Sequence, residues 1–135
     1  MEINEITSAI LAAAVAVHRE LGPGLLESAY ETFFVGKLTK GGLTVQRQVP
    51  IPVEVDGIRT DCGYRIDVLV EGCVVVELKA VVKLEPVHTA QALTYMRLGG
   101  YPVGLLINFN VPYLGEGAIK RLVNGYDGPR PRESR

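Results

Sequence analysis

The chain has 135 residues and a mass of 14.6 kDa, a size at which one domain buries enough apolar surface to fold without disulfides. Apolar residues make up 47% of it and charged residues 21%, which excludes an intrinsically disordered protein. With 14 Lys and Arg against 15 Asp and Glu, it cannot hold nucleic acid by bulk positive charge, although a local basic groove stays compatible.

Two helices are predicted in the first third of the chain. Residues 6–17 are uncharged but too short to span a bilayer, which takes about 20 residues. Acidic residues precede them, unlike a secretory signal, so we expect a soluble cytoplasmic protein with no membrane partner. Asn4 is the expected N-cap of this first helix, which ends near Leu21. A second helix is predicted over residues 26–38, with one apolar stripe: Leu26, Ala29, Tyr30, Phe33 and Phe34.

Beyond residue 42 the pattern changes to that of β-strands. Strand segments are predicted at residues 43–49, 51–55, 58–62, 64–70 and 74–80, with a hairpin at Asp56-Gly57. Pro86 opens a third helix that ends near Leu98. Residues 103–109 form a buried apolar strand, and residues 119–123 are either a last strand or a helical turn.

The resulting order, ααββββαββ, predicts an α+β fold in which helices flank a central mixed sheet containing an antiparallel meander. We expect one domain over residues 1–125. Residues 126–135 lack an apolar face and are expected to form a flexible tail.

The strands at residues 64–70 and 74–80 carry charged residues among valines and leucines. If facing residues have numbers that sum to 144, one face is wholly apolar, with Ile66, Val68 and Val70 opposite Leu78, Val76 and Val74. The other face then places Asp67 opposite Glu77 and Arg65 opposite Lys79. A slip of one residue would put Glu77 opposite Ile66, so the apolar pattern selects the first register. The connection is then residues 71–73, with Gly72 free to adopt a positive φ.

Two carboxylates that face each other repel, and each raises the pKa of the other unless a cation lies between them. Oxygen ligands favour Mg²⁺ or Mn²⁺ over zinc. A lysine beside the pair can hold a water molecule or neutralise charge that develops on a phosphate. Asp67, Glu77 and Lys79 therefore fit metal-dependent phosphodiester hydrolysis. The alternative is a polar sheet face with two ordinary salt bridges, Lys79 to Glu77 and Arg65 to Asp67.

Five segments in order resemble the GxxExxY proteins of the PD-(D/E)XK nuclease superfamily. They are GLLESAY at residues 24–30, YRID at 64–67, VELKA at 76–80, QALTYM at 91–96 and GLLINF at 104–109. The resemblance covers nearly everything between residues 6 and 123. It implies a restriction-endonuclease-like α/β core. One departure is Ile66, which stands where the superfamily motif has proline.

The resemblance also implies roles for individual residues. Asp67, Glu77 and Lys79 are the expected catalytic signature, and Gln91 is expected to orient Lys79 or a phosphate. Glu27, Asp67, Glu77 and the Leu78 carbonyl are the expected ligands of Mg²⁺ or Mn²⁺. From the residues alone, a carboxylate that favours the N-terminus of its helix is the more ordinary role of Glu27.

These observations predict a nuclease that hydrolyses phosphodiester bonds of DNA, or of RNA, by a Mg²⁺-activated water. Because the chain has no separate specificity module, reading a DNA sequence would need a homodimer or a partner protein. The alternative is a non-catalytic module that keeps the fold and binds nucleic acid or protein. His88, Gln91 and Tyr95 share one face of the third helix; only Gln91 is predicted to belong to the site. Lys83 and the arginines of the tail, Arg130, Arg132 and Arg135, could contact phosphate or simply be solvated.

Overall fold

A computed structural model of the protein describes residues 1–125, so the predicted flexible tail at residues 126–135 lies outside the described part. The elements follow one another in the order α1 (Ile3–Leu21), α2 (Glu27–Lys40), β1 (Val45–Pro50), β2 (Val53–Val55), β3 (Ile58–Thr60), β4 (Arg65–Val70), β5 (Val74–Lys79), α3 (Pro86–Gly99), β6 (Val103–Asn108), a short 3-10 helix (Glu116–Ala118) and β7 (Ile119–Val123). Residues 119–123 are thus a strand and not a helical turn.

The central sheet has five strands in the order β1-β4-β5-β6-β7. Only β5 and β6 run parallel, and the remaining neighbours are antiparallel. The crossover between β5 and β6 is the helix α3, as a parallel connection requires. The predicted α+β architecture, a mixed central sheet flanked by helices, is confirmed.

The region between α2 and α3 holds five strands, one more than the predicted order ααββββαββ. The predicted strand segments on either side of Pro50 belong to different sheets, because β2 leaves the central sheet and pairs with β3 alone. Pro52 lies at this break, and a proline has no N–H to offer a central ladder. The β2–β3 hairpin turns at Asp56 and Gly57, which both have positive φ, 52° and 77°.

Helices cover both faces of the sheet. One apolar cluster joins α1 and α2 to the sheet residues Val68, Val76 and Leu105. The second joins α3 to the opposite face through Leu69 and Val75. Because both faces are covered, the central strands are apolar at nearly every position, and β6 is buried throughout.

The ends and faces of the first two helices differ from expectation. The N-cap of α1 is Glu2, whose N–H donates to Glu5 Oε1 at 3.2 Å, and not Asn4. The Asn4 side chain instead accepts a hydrogen bond from Arg121 on the distant strand β7, at 3.1 Å. In α2, Leu26 and Phe33 are exposed, and the buried positions are Tyr30, Glu31, Phe34 and Leu38.

Tyr30 links helix α2 to the loop that precedes it. Its ring stacks on Phe109, with centroids 4.6 Å apart. Its hydroxyl donates to the Gly22 carbonyl and accepts from the Leu25 N–H, at 2.5 and 3.2 Å. This hydroxyl therefore holds the turn that leads into Glu27.

We expect Tyr30→Phe to lower the free energy of unfolding by about 1–3 kcal/mol, because it leaves partners of the hydroxyl without their hydrogen bonds while it keeps the ring. Urea denaturation measures the change. Tyr113→Phe is the matched control, since Tyr113 is 77% exposed, and its effect should stay within about 0.5 kcal/mol. Equal stabilities of Tyr30→Phe and the wild type would contradict this role.

Candidate active site

Strands β4 and β5 pair in the predicted register. Val68 faces Val76, Leu69 faces Val75 and Val70 faces Val74, so the residue numbers of each pair sum to 144. The connection is the predicted three-residue one. Glu71 and Gly72 both have positive φ, 54° and 66°, and the Cys73 N–H closes the turn on the Val70 carbonyl at 3.1 Å.

The ladder between these strands ends at the Val68–Val76 pair, and two carboxylates occupy the opening beyond it. The Asp67 N–H donates to Glu77 Oε2 at 2.8 Å. In return, the Leu78 N–H donates to Asp67 Oδ2, also at 2.8 Å. Each carboxylate thus satisfies a backbone donor of the opposite strand, and the pair is fixed between the ends of β4 and β5.

The opening also changes which side of the sheet each residue faces. Val68, Val76 and Leu78 pack toward α1 and α2, as predicted for the apolar face. Ile66 does not, because it packs on the α3 side with Leu69 and Val75. The alternation breaks at Asp67, where Gln48, the residue opposite on β1, has a φ of 50° and is missing from the ladder. Asp67 is thus unpaired with β1 on one side and with β5 on the other, and this irregular backbone accounts for the packing of Ile66 on the α3 side.

The backbone carbonyl of Leu78 faces the same opening. In a strand, the N–H and C=O of one residue point toward the same neighbouring strand. The Leu78 N–H is bonded to Asp67, so its carbonyl also points toward the carboxylate pair. The Lys79 carbonyl points the other way and accepts from the Phe109 N–H at 2.9 Å.

Burial and nearby negative charges disfavour the ionised forms of both carboxylates. Glu77 is 3% exposed and Asp67 is half-buried. Desolvation is the main cause that raises the pKa of each; the charge of Asp67 raises the pKa of Glu77 further. Lys79 acts in the opposite direction and lowers the pKa of both. A cation bound between the carboxylates would act in the same direction as Lys79.

Lys79 lies between the carboxylate pair and helix α3. Its Nζ donates to Gln91 Oε1 at 3.4 Å, which brings these two predicted site residues together. Within residues 1–125, no salt bridge joins Lys79 to Glu77 or Arg65 to Asp67. The alternative of two ordinary salt bridges on a polar sheet face is therefore not what the structure contains. One turn beyond Gln91, burial and the charges of Glu77 and Asp67 raise the pKa of Tyr95, so this side chain also borders the site.

Glu27 reaches the site from the first turn of α2. Its Oε2 accepts a hydrogen bond from the Ala80 N–H, the residue after Lys79, at 3.2 Å. Glu27 is exposed, and its charge raises the pKa of Asp67. The residue is therefore near the carboxylate pair, and its hydrogen bond is to the backbone just after the end of β5.

The oxygen donors at this opening suit a hard divalent cation. The described residues contain no group of three His, Cys, Asp or Glu side chains arranged to hold a metal ion. Mg²⁺ nevertheless binds through one or two carboxylates and completes its shell with water. Asp67, Glu77 and the Leu78 carbonyl meet that requirement. Glu27 lies nearby, where it accepts a hydrogen bond from Ala80, two residues after Leu78.

Two residues near the site were not identified from the sequence. Glu31 is buried in α2, and it accepts hydrogen bonds from Arg47 and Gln48 at 3.0 and 2.9 Å. Its charge raises the pKa of Asp67 and of Glu77. The signal in the sequence is a carboxylate directly after the buried Tyr30.

Asn108 is the second of these residues. It is 2% exposed and ends the otherwise apolar strand β6. Its Oδ1 accepts from the Val81 N–H at 3.0 Å, and its Nδ2 donates to the Val81 carbonyl at 2.9 Å. Asn108 therefore fixes the segment that follows Lys79. An amide at the end of an apolar run was the available signal.

Other polar residues have roles outside the carboxylate pair. His88 Nδ1 accepts from the Glu85 N–H at 2.9 Å, so it caps the start of α3. Lys83 is exposed in the loop before α3. The tail arginines lie outside the described residues. No helix within residues 1–125 is long and apolar enough to cross a membrane.

A family model described as the PD-(D/E)XK nuclease superfamily matches residues 4–122. The chain therefore belongs to the PD-(D/E)XK nuclease superfamily, whose members generally use divalent metal ions and act on nucleic acids. The narrower assignment to the GxxExxY proteins stays a prediction. Neither a curated protein nor a solved structure was found to match the chain.

The raised pKa values predict how stability depends on pH. The pKa of Glu77 rises from 4.5 to about 8 on folding, and that of Asp67 from 3.8 to about 6. The folded state then holds protons more tightly than the unfolded state, so these groups lower stability as pH rises through that window. Glu77→Gln cannot ionise, and its amide oxygen can still accept from the Asp67 N–H.

We expect Glu77→Gln to gain stability relative to the metal-free wild type between pH 5 and pH 8.5. One pKa unit corresponds to about 1.4 kcal/mol, so the gain is of the order of a few kcal/mol. Urea denaturation at both pH values measures it. Glu54→Gln, at an exposed position of β2, should show no such trend. A Glu77→Gln difference that is independent of pH would contradict the burial of this charge.

Proposed function

We propose that this PD-(D/E)XK superfamily member is a metal-dependent nuclease that hydrolyses phosphodiester bonds of DNA or RNA. The observation that supports the proposal best is the reciprocal pairing of Asp67 and Glu77 between two separated strands, with Lys79 beside them. A purely structural sheet has no use for two carboxylates whose pKa values are both raised by burial. A site that must hold a cation beside a phosphate does need two such carboxylates.

Asp67, Glu77 and the Leu78 carbonyl would hold Mg²⁺ or Mn²⁺, and Glu27 would approach it from α2. The bound ion supplies Lewis-acid polarisation of the phosphate and a water of lowered pKa. The residues of the chain fix the geometry, because each carboxylate is already held by a backbone N–H of the opposite strand. Such preorganisation avoids a reorganisation cost during the reaction.

Lys79 would position the attacking water and stabilise the negative charge that develops on the phosphate. Its ammonium group is close enough to lower the pKa of both carboxylates, so it also lies within reach of a phosphate bound there. Gln91 would orient the ammonium group through the contact between Oε1 and Nζ. Asn108 and Glu27 would support the site indirectly, since they hold the backbone of Val81 and Ala80.

Metal binding is expected to stabilise the folded protein. Mg²⁺ or Mn²⁺ at 100 times its Kd should add about 2.7 kcal/mol to the free energy of unfolding, because the unfolded chain offers no paired carboxylates. Thermal denaturation with and without millimolar metal measures the effect. Asp67→Asn should remove most of it, and the exposed Glu54→Gln should keep it. Equal metal responses of the wild type and Asp67→Asn would mean that the pair is not a metal site.

Hydrolysis itself is tested with Lys79→Ala. We expect cleavage to fall by about 100- to 1,000-fold, as on loss of one preorganised electrostatic group, while metal still raises the melting temperature. Lys79→Arg should restore activity only in part, because a planar guanidinium cannot place a compact charge at the same point. Lys120→Ala, at an exposed position of β7, is the matched control.

The measurement is metal-dependent cleavage of labelled single-stranded, duplex and branched DNA and of RNA. Cleavage that persists unchanged in Lys79→Ala would point to a contaminating nuclease. A wild type that cleaves none of these substrates with metal present would favour the alternative, a non-catalytic binding module with this fold.

A further inference from the structure

A groove of about 480 Å³ runs along α3, and its lining includes Gln91, which contacts Lys79 of the site. Its walls include Val53 from the β2–β3 hairpin, Tyr64 from the segment before β4, and Val87, Gln91 and Tyr95 from α3. The volume is in the range of sites that bind small organic groups. The groove is thus a second concave surface adjoining the site already described.

The chemistry of this groove is aromatic and apolar. The rings of Tyr64 and Tyr95 have centroids 6.3 Å apart and planes inclined by 48°, so the rings are tilted and not stacked face to face. Tyr64 is 46% exposed. Its ring surface is therefore accessible to a flat ligand. Val53 and Val87 supply apolar contacts on either side.

The lining of the groove is close to neutral, with one basic residue among those that the structure describes. Among the described residues, its lining contains Arg97 and no carboxylate. Asp67 and Glu77, the proposed holders of the metal ion, are close enough to Tyr95 of this lining to raise its pKa. A flat, neutral group in the groove and a phosphate at the carboxylate pair would therefore meet complementary surfaces.

Gln91 connects the two places. It lines the groove, and its Oε1 accepts from Lys79 Nζ at 3.4 Å. Tyr95 likewise lines the groove, and it borders both carboxylates. A ligand that spans the two surfaces needs a phosphate and an aromatic group one short linkage apart. A nucleotide has this composition.

We propose that the Tyr64–Tyr95 groove binds an unpaired nucleobase next to the scissile phosphate, and hence that the substrate is single-stranded or locally unpaired nucleic acid. This inference rests on the proposed nuclease function and adds its substrate class. Stacking on an aromatic side chain recognises any base, because every base has a π face. In an intact duplex the bases are stacked on one another, and one would have to be extruded to reach Tyr64.

The test is binding of labelled oligonucleotides in the Lys79→Ala background, which slows turnover and keeps the expected metal ligands, with millimolar Mg²⁺. The ligands are single-stranded DNA, single-stranded RNA, a blunt duplex of the same length and a single strand without bases. Tyr64→Ala removes the ring and Tyr64→Phe keeps it. Tyr113→Ala is the matched control, because Tyr113 is exposed and does not line this groove. Thermal denaturation of each variant verifies that it is folded.

We expect Tyr64→Ala to weaken binding of single strands by about 5- to 150-fold, the loss that follows removal of one base–aromatic stack. Tyr64→Phe should bind within about twofold of the parent, and Tyr113→Ala should be unchanged. The effect of Tyr64→Ala should vanish on the strand without bases. The DNA and RNA arms then show which polymer the groove prefers.

Two kinds of result would overturn the inference, and they differ from failure of the proposed function. If Tyr64→Ala binds single strands as the parent does, or loses as much affinity for the strand without bases, the groove does not take a base. If the duplex binds more tightly than the single strand, the substrate class is wrong. Metal-dependent cleavage by the wild type would survive either result. Conversely, Tyr64-dependent binding without any cleavage by the wild type would overturn the nuclease and keep the groove.

Discussion

The exchange of hydrogen bonds between Asp67 and Glu77 is the interaction on which the rest of this structure depends. Backbone pairing of β4 and β5 stops one residue short of these carboxylates, and buried N–H groups cannot be left without acceptors. The Asp67 side chain accepts from Leu78, and the Glu77 side chain accepts from Asp67. These two hydrogen bonds hold both carboxylates in place at the point where the pairing of β4 and β5 ends.

The surrounding layers keep this opening in place. On the side of β5 away from β4, the parallel pairing of β5 with β6 continues to the Lys79–Asn108 position. Just after β5, Glu27 of α2 accepts a hydrogen bond from the backbone of Ala80, and Asn108 of β6 accepts one from Val81. The chain after β5 is therefore fixed from both sides where Lys79 must point at the site. The buried like charges lower the stability of the metal-free fold, which is typical of sites arranged for function rather than for stability.

The near-neutral charge of the chain is compatible with a nucleic-acid substrate once the two surfaces are considered together. Bulk electrostatic attraction is small at a formal charge of −1. Affinity would then come from a cation held by Asp67 and Glu77 and from stacking in the adjoining groove. Both would be short-range, and both would act on the nucleotide at the proposed point of cleavage. The arrangement suits a small domain that grips one or two nucleotides rather than a long duplex.

The sequence alone predicts the approximate positions of most elements and the pairing of β4 with β5. The hydrophobic period, the Asp56-Gly57 pair and Gly72 are local signals, which depend only on neighbouring residues. Because the side chains of a strand alternate between its two faces, only one pairing register keeps charge out of the core. Lys79 was predicted as a site residue from its place beside the carboxylate pair, and Gln91 from the family resemblance. Their contact is seen in the structure. The order of strands in the sheet, the packing of Ile66 on the α3 side and the cap at Glu2 came only from the tertiary structure. So did the contact of Glu27 with Ala80, which are 53 positions apart. These features depend on how the helices pack and on which polar groups compete for the same partner, and neither is encoded in the spacing of neighbouring residues.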